Sequence, residues 1–531
     1  MAGDGTSATA QPVRAAEVAS ALCLATDLGL GFPWAHGLEA TAAAMRLSDL
    51  ADADPATRKQ AYFLSLLLFA GCTADASEKA ALFGGPTEPI IGVIWGGTLE
   101  QMRVVLRALP EPDAPAVVGL GQAGARLPRA LAQHRREQLA LCEVAQHMAE
   151  HLGLGTVVGD ALAHLTDRWD GAGVLRRGRG DEIPLALRIA LVARDASYQA
   201  VLGGTERAAA VVTRRAGKAH DPRLARLVAN HHREVLVGDD DGPVAARVLA
   251  AEPGDPVLLA GDRIDDALST LGEVADLMTP PVAGRSRAVA ALAARAAQAA
   301  GLAVAEVDVV RRAALLQDVG RVTVPPPVWR RPGRLGADEW EQVRLHPYYT
   351  GRVCSMSSFL RPLGAVAACH HERLDGSGYH RGVGASALGV PARILAAADA
   401  WRFLREPAPY GRALGPDAAA GELAQQVAAG QLDADGVAAV VTASGTAAPP
   451  LHRPAGLTER EVRVLGLAAR GLATKQVGRA LGISPKTVDQ HLQHAYRKIG
   501  TSSRAAATLF AAEHGLLAWG ELPIHREGAA T

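Results

Sequence analysis

The sequence predicts an all-α protein, and three observations carry that prediction. Alanine is abundant throughout while aromatic residues make up only 4% of the chain. That balance favours closely packed helices, because alanine keeps full helix propensity and adds little bulk. Apolar residues recur with helical periodicity from about Ala15 to about Ala443. Towards the C-terminus, helix-start and helix-stop signals alternate at short spacing. At 531 residues the chain exceeds what one hydrophobic core accommodates, so roughly two to four domains are expected.

The totals exclude several classes. Lys+Arg and Asp+Glu are both 55, leaving no net charge and arguing against an extended polyelectrolyte surface. The cysteines Cys23, Cys72, Cys142, Cys354 and Cys369 lie far apart with no CxxC pair, which is neither a zinc-knuckle nor a disulfide framework and suits a reducing cytosol. No basic segment followed by an unbroken apolar stretch opens the chain, so no signal peptide is expected. The most apolar run, Ala61 to Ala74, is too short to span a bilayer and reads as a core helix. A soluble, cytoplasmic protein without a membrane partner is the expectation.

In order along the chain, residues 1–14 are small and polar and are expected to be disordered. An internal duplication follows. DRWDGAGVLRRG (Asp167–Gly178) parallels ERLDGSGYHRG (Glu372–Gly382), and each precedes a Pro and a helix, LALRIALVARDA (Leu185–Ala196) or PARILAAADA (Pro391–Ala400). Upstream in each copy stands an Ala-rich helix and then an apolar helix ending in a Gly turn: Trp34–Leu47 and Tyr62–Gly71, then Ser286–Ala300 and Val309–Gly320. These define helical domains at 15–235 and 260–443. Two adjacent prolines among small residues mark a linker at 444–456. A compact module is expected at 457–519, with a tail at 520–531.

The module reads as four short helices. Thr458 is a good N-cap and Glu461 completes a capping box. A second helix runs from Thr474 to Leu481, and Gly482-Ile483-Ser484 makes a tight turn. Ser484 caps a third helix that starts at Pro485. This helix has an apolar side of Val488, Leu492, Ala495 and Ile499, with Lys486, Thr487, Gln490, Gln493, Arg497 and Lys498 opposite. A fourth helix follows Ser503. Across 457–517 nine basic residues face four acidic ones, a net +5 in an otherwise neutral chain. Over this whole segment LTEREVRVL, GLATKQVGRALGIS and SPKTVDQHLQHAYRKIG resemble the LuxR-type helix-turn-helix family. The resemblance implies a transcription regulator that binds double-stranded DNA, as a homodimer on paired half-sites. The base edges would fall to Lys486, Thr487 and Gln490, and the phosphates to Lys475, Ser484, His491 and Lys498. Asp489 departs from the family, which often has a basic residue there; it would either accept from a cytosine amine or repel phosphate.

The second repeat carries Leu315-Leu316-Gln317-Asp318-Val319-Gly320-Arg321, Leu345-His346-Pro347, His370-His371-Glu372, Asp375-Gly376-Ser377-Gly378-Tyr379 and Ala398-Asp399. This order resembles the HD-GYP branch of the HD phosphohydrolases. That implies an all-helical domain binding manganese or iron and hydrolysing cyclic di-GMP or related phosphodiesters. Imidazoles and carboxylates suit such metals, and a metal-bound hydroxide attacks phosphorus in line. Matched residue by residue, the metal ligands would be Asp318, His346, His370, His371 and Asp399. Gln317 stands where the family has the histidine of the HD pair, Arg285 where an early helix is often histidine, His380 for the proline of GYP, and Arg321 for a lysine. Losing an imidazole ligand costs metal binding on the order of several kcal/mol. In the first repeat Phe69, Ala70, Leu165, Thr166 and Arg194 stand at ligand positions and only His36 has a ligand-type side chain.

Together these imply two HD-like helical bundles followed by a LuxR-type module. The reading is a DNA-binding regulator whose degenerate HD region senses a small-molecule or nucleotide ligand and dimerises. The alternative is a metal-dependent phosphodiesterase fused to a DNA-targeting module.

Overall fold

The computed structural model describes residues 12–73, 95–111, 115–238, 242–277, 283–331, 333–406, 413–448, 453–514 and 516. Among them the fold is all-helical apart from one two-stranded antiparallel sheet, β1 (Val13–Arg14) with β2 (Leu258–Leu259). No described helix is long and apolar enough to cross a membrane. The chain forms two compact units, residues 1–283 with 319–342 and 352–361, and residues 284–318 with 343–351 and 362–531.

These units depart from the expected edges at 235 and 260. Residues 319–342 and 352–361 cluster with the N-terminal unit, because α1 (Ala15–Leu30) packs on the 3-10 turn Val319–Thr323. In the same unit Ser357 Oγ donates to Glu17 and Arg352 lies over the Trp34 ring at 4.2 Å. The disordered segment expected over 1–14 is also corrected at its end. Val13 and Arg14 form β1, and Arg14 Nη2 reaches Glu252 at 2.6 Å; residues 1–11 and the tail 520–531 lie outside the described residues.

The duplication is visible as a repeated element order. In the first unit α2 (His36–Leu50), α3 (Pro55–Leu67) with the 3-10 turn Ala70–Thr73, α4 (Gly155–Leu162), α5 (Leu185–Arg215, kinked at Gly203–Gly204) and α6 (Pro222–Asn230) follow one another. In the second copy their counterparts are α7 (Arg285–Ala299), α8 (Val304–Leu316), α9 (Leu360–Ala367), α10 (Val390–Arg405) and α11 (Ala434–Ala443). The expected early helices begin elsewhere by a residue or two: α2 starts at His36 and α7 at Arg285, each behind a left-handed residue, Ala35 or Gly284.

The same hydrogen bonds recur in both copies. Arg188 of α5 donates to Asp221 at 2.6 Å, and Asp221 caps α6 by accepting from the Arg223 and Leu224 N–H groups. Arg393 of α10 reaches Asp433 at 3.4 Å, and Asp433 caps α11 by accepting from Gly436. Asp167 accepts the Arg177 N–H at 3.1 Å, as Glu372 accepts that of Arg381 at 3.1 Å. Trp169 N–H donates to Ala219 O, and Leu374 N–H to Gln431 O. A Cβ at Gly173 would lie 2.7 Å from Thr166 O, and one at Gly378 2.5 Å from Glu372 Cα. Both DGxG loops therefore need their second glycine for a close backbone approach.

The C-terminal module comprises α12 (Glu459–Ala469), α13 (Thr474–Leu481), α14 (Pro485–Ile499) and α15 (Arg504–Glu513). The capping box forms as expected: Thr458 Oγ1 accepts from Glu461 N–H at 3.3 Å and Glu461 Oε2 from Thr458 N–H at 2.8 Å. Val464, Val477 and Val488 make one buried cluster, and Leu457, Val462, Leu465, Ala495 and Ala507 a second. Of the expected apolar side of α14, Val488 and Ala495 are fully buried, and Leu492 and Ile499 pack partly buried beside them. A Cβ at Gly478 would sit 2.7 Å from Ile483 O, so the turn between α13 and α14 closes only over glycine. In the expected linker, Arg453 pairs with Asp435 of α11 at 2.8 Å; residues 449–452 lie outside the described set.

Candidate metal centre and nucleic-acid interface

The second copy gathers its histidines where α9 ends. His346 and His370 are buried, His371 is half-buried, and one ligand nitrogen from each lies within 4.8 Å of the others. This is the only such cluster of three or more His, Cys, Asp or Glu among the described residues. His346 Nδ1 donates to Val343 O at 2.6 Å and His370 Nδ1 to Ala367 O at 2.7 Å. Those bonds place the ring hydrogens on Nδ1 and direct both Nε2 atoms toward each other, as metal-binding imidazoles are held. The two Nε2 atoms stand 3.2 Å apart, each 3.5 Å from Asp318 Oδ1. Burial holds the pKa of His346 below its usual value despite Asp318, and burial with repulsion from His370 and His346 holds that of His371 well below. Three imidazoles gathered beside a carboxylate fit one divalent transition metal.

The carboxylate half of the expected ligand set is a correction. Asp399 Oδ1 accepts from Arg285 Nη2 at 2.5 Å and from Gln317 Nε2 at 2.9 Å; its Oδ2 stands 3.6 Å from His371. Arg285 Nε also reaches Asp318 Oδ2 at 3.4 Å, and its Nη1 pairs with Glu406. An arginine thus holds the two carboxylates that a metal pair would share. The sequence marks Arg285 and Gln317 as departures from the family but does not reveal this network or Glu406.

The first copy is closed in another way. Arg194, at the position of Asp399, pairs with Asp27 and lies over the rings of Phe32 and Phe69 at 4.9 and 4.8 Å. His36 is buried against Phe32 with ring centroids 5.0 Å apart, and burial first, then Arg194, depresses its pKa to about 2. Its ligand-type side chain serves packing.

In the C-terminal module the expected contact residues separate into two groups. Lys475, Ser484, Lys486 and Gln490 are exposed and Thr487 and His491 half-buried. Ser484 Oγ caps α14 by accepting from Thr487 N–H at 3.1 Å. Lys498 is corrected: its Nζ donates to Glu461 Oε2 at 2.6 Å and to Gly456 O at 3.0 Å, which ties α14 to the start of α12 instead of leaving the ammonium for a phosphate. Arg460 and Arg504 likewise bond to the Leu481 carbonyl and to those of Ala468 and Leu472. Asp489 accepts from Thr474 Oγ1 at 3.3 Å, linking α14 to α13.

Comparisons with known proteins agree with this division. Residues 270–436 match the HD domain, and residues 455–511 match the bacterial regulatory proteins of the luxR family. The 3'3'-cGAMP-specific phosphodiesterase 3 of Vibrio cholerae serotype O1 is 27% identical over 420 residues, 76% of this chain and 89% of that protein. The cyclic di-GMP phosphodiesterase response regulator RpfG of Xanthomonas campestris is 38% identical over 125 residues, 23% of this chain and 33% of that one. A crystal structure of the cyclic GMP-AMP specific phosphodiesterase of V. cholerae covers 82% of this chain and 98% of its own, with a TM-score of 0.57 at 22% identity, a likeness of fold. The chain therefore joins an HD domain, related in sequence to cyclic dinucleotide phosphodiesterases, to a C-terminal luxR-family helix-turn-helix domain.

Proposed function

We propose that the protein is a DNA-binding transcription regulator whose HD-like region senses a ligand and supports dimerisation. The observation that carries this reading is α14: its apolar side is buried in the module's core while Lys486, Gln490, Gln493 and Arg497 stay exposed. An exposed polar helix face of this kind enters a major groove, with its N-terminal residues on base edges and neighbouring cations on phosphates. Lys486, Thr487 and Gln490 read bases; Lys475, Ser484 and His491 position the backbone. Titrating promoter-region DNA with the full-length chain, by fluorescence anisotropy at several salt concentrations, gives binding that weakens steeply with salt. Weakening by at least tenfold in Lys486→Ala/Thr487→Ala is expected; no salt-dependent binding removes the reading.

A second reading is favoured by the histidine cluster and by the relatives' names: a metal-dependent phosphodiesterase acting on a cyclic dinucleotide, with the luxR-type domain delivering it to DNA. Turnover of 3'3'-cGAMP or cyclic di-GMP in manganese or iron, lost in His370→Ala, supports it. No turnover with either substrate under metal-loaded conditions removes it.

A further inference from the structure

Asp318, Asp399 and Glu406 share one buried cation that the chain itself supplies, Arg285, and Glu406 also pairs with Arg402. The Arg285 side chain is 5% exposed and pairs with all three carboxylates. Burial alone would make the guanidinium easier to deprotonate, but Asp399, Asp318 and Glu406 outweigh it and hold its pKa above the ordinary arginine value. A divalent ion bridging Asp318 Oδ2 and Asp399 Oδ1 would displace those bonds and stand against a like charge in a low-dielectric pocket. The histidine half differs. There His346 Nε2 and His370 Nε2 lie 3.2 Å apart, each 3.5 Å from Asp318 Oδ1, and a nitrogen of His371 completes a group within 4.8 Å. The Arg285 ion pairs go to the carboxylates and not to these three imidazoles.

We propose that the Arg285 guanidinium is the resident cation of the carboxylate half of this pocket and restricts the site to one divalent metal ion, taken by His346, His370 and His371. Position 285 thereby sets metal nuclearity. The inference goes beyond the DNA-binding reading and stands or falls separately from it, since no step of the test involves DNA.

The test is equilibrium dialysis of the chelator-stripped full-length chain against Mn2+ alone, with bound metal counted and the paramagnetic resonance spectrum recorded. The unaltered chain binds one ion per chain, with the spectrum of an isolated Mn2+. His370→Ala lowers the count at least tenfold at the same free Mn2+. Arg285→Lys keeps a cation in place and stays at one. Arg285→His combined with Gln317→His removes the charge, adds two imidazoles, and raises the count to two with an exchange-coupled spectrum. Two ions or a coupled spectrum in the unaltered chain overturn the proposal. So does retention of no ion, or a double variant that is folded by circular dichroism and remains at one. If the double variant does not fold, the count and spectrum of the unaltered chain and of Arg285→Lys decide alone.

Discussion

Lys486 and Lys498 both lie on α14, yet only one of them is positioned to meet a phosphate or a base. Lys498 is bonded to Glu461 and Gly456, whereas Lys486 is exposed and carries no ion pair among the described residues. The two substitutions therefore separate. Lys486→Ala weakens DNA binding and relaxes the preference at the base pair it reads by about 1–3 kcal/mol, with the log-affinity against log-salt slope recorded alongside. Lys498→Ala leaves that slope unchanged and lowers the module's stability by up to about 1 kcal/mol, the scale of a partly exposed pair; anisotropy with a denaturant melt distinguishes them. Glu461 adds a pH dependence. Burial raises its pKa, but the bonds from Lys498 and Thr458 outweigh burial and bring it below the usual 4.5. The folded state then binds fewer protons than the unfolded one, so this contribution is full above the unfolded pKa and lost as pH falls through the folded value. The hydrogen-exchange protection factors of α12, taken relative to the intrinsic rate at each pH, fall as the full-length chain is acidified from about pH 6 to about pH 3, and Glu461→Gln flattens that response.

At the scale of the element, the helices of the C-terminal module were legible because their signals are local. Thr458 with Glu461, Ser484 before Pro485, and Ser503 each cap within three residues, and the structure forms each cap. Ser484→Ala is expected to cost about 1 kcal/mol, and Gly478→Ala more, since the added methyl must push the Ile483 carbonyl aside; urea melts of the two variants give the order. The Arg285 network was not legible. It joins residues 33, 114 and 121 positions apart, and no periodicity or cap reports which buried cation meets which carboxylate. The N-terminal segment was misread at its end for the same reason: the partner of Val13 is Leu259, far along the chain. The five expected metal ligands were found in family order, but the sequence did not reveal that Asp399 was already committed to Arg285 and Gln317.

At the scale of the whole molecule, helix-turn-helix recognition gains affinity from paired half-sites. The full-length chain is expected to sediment as a dimer at micromolar concentration. Deleting one half-site from its operator should lower affinity by at least tenfold; a monomer indifferent to the deletion would show that each module acts alone. The duplicated frame bears on how such a molecule comes about. Arg188 with Asp221 and Arg393 with Asp433 fasten equivalent helices in the two copies, and none of these four residues belongs to the histidine cluster or to its counterpart positions. Shape and chemistry are consequently entrusted to disjoint sets of side chains. Each copy keeps its silhouette while a different guanidinium fills its pocket: Arg194 of α5 in one, and Arg285, the opening residue of α7, in the other.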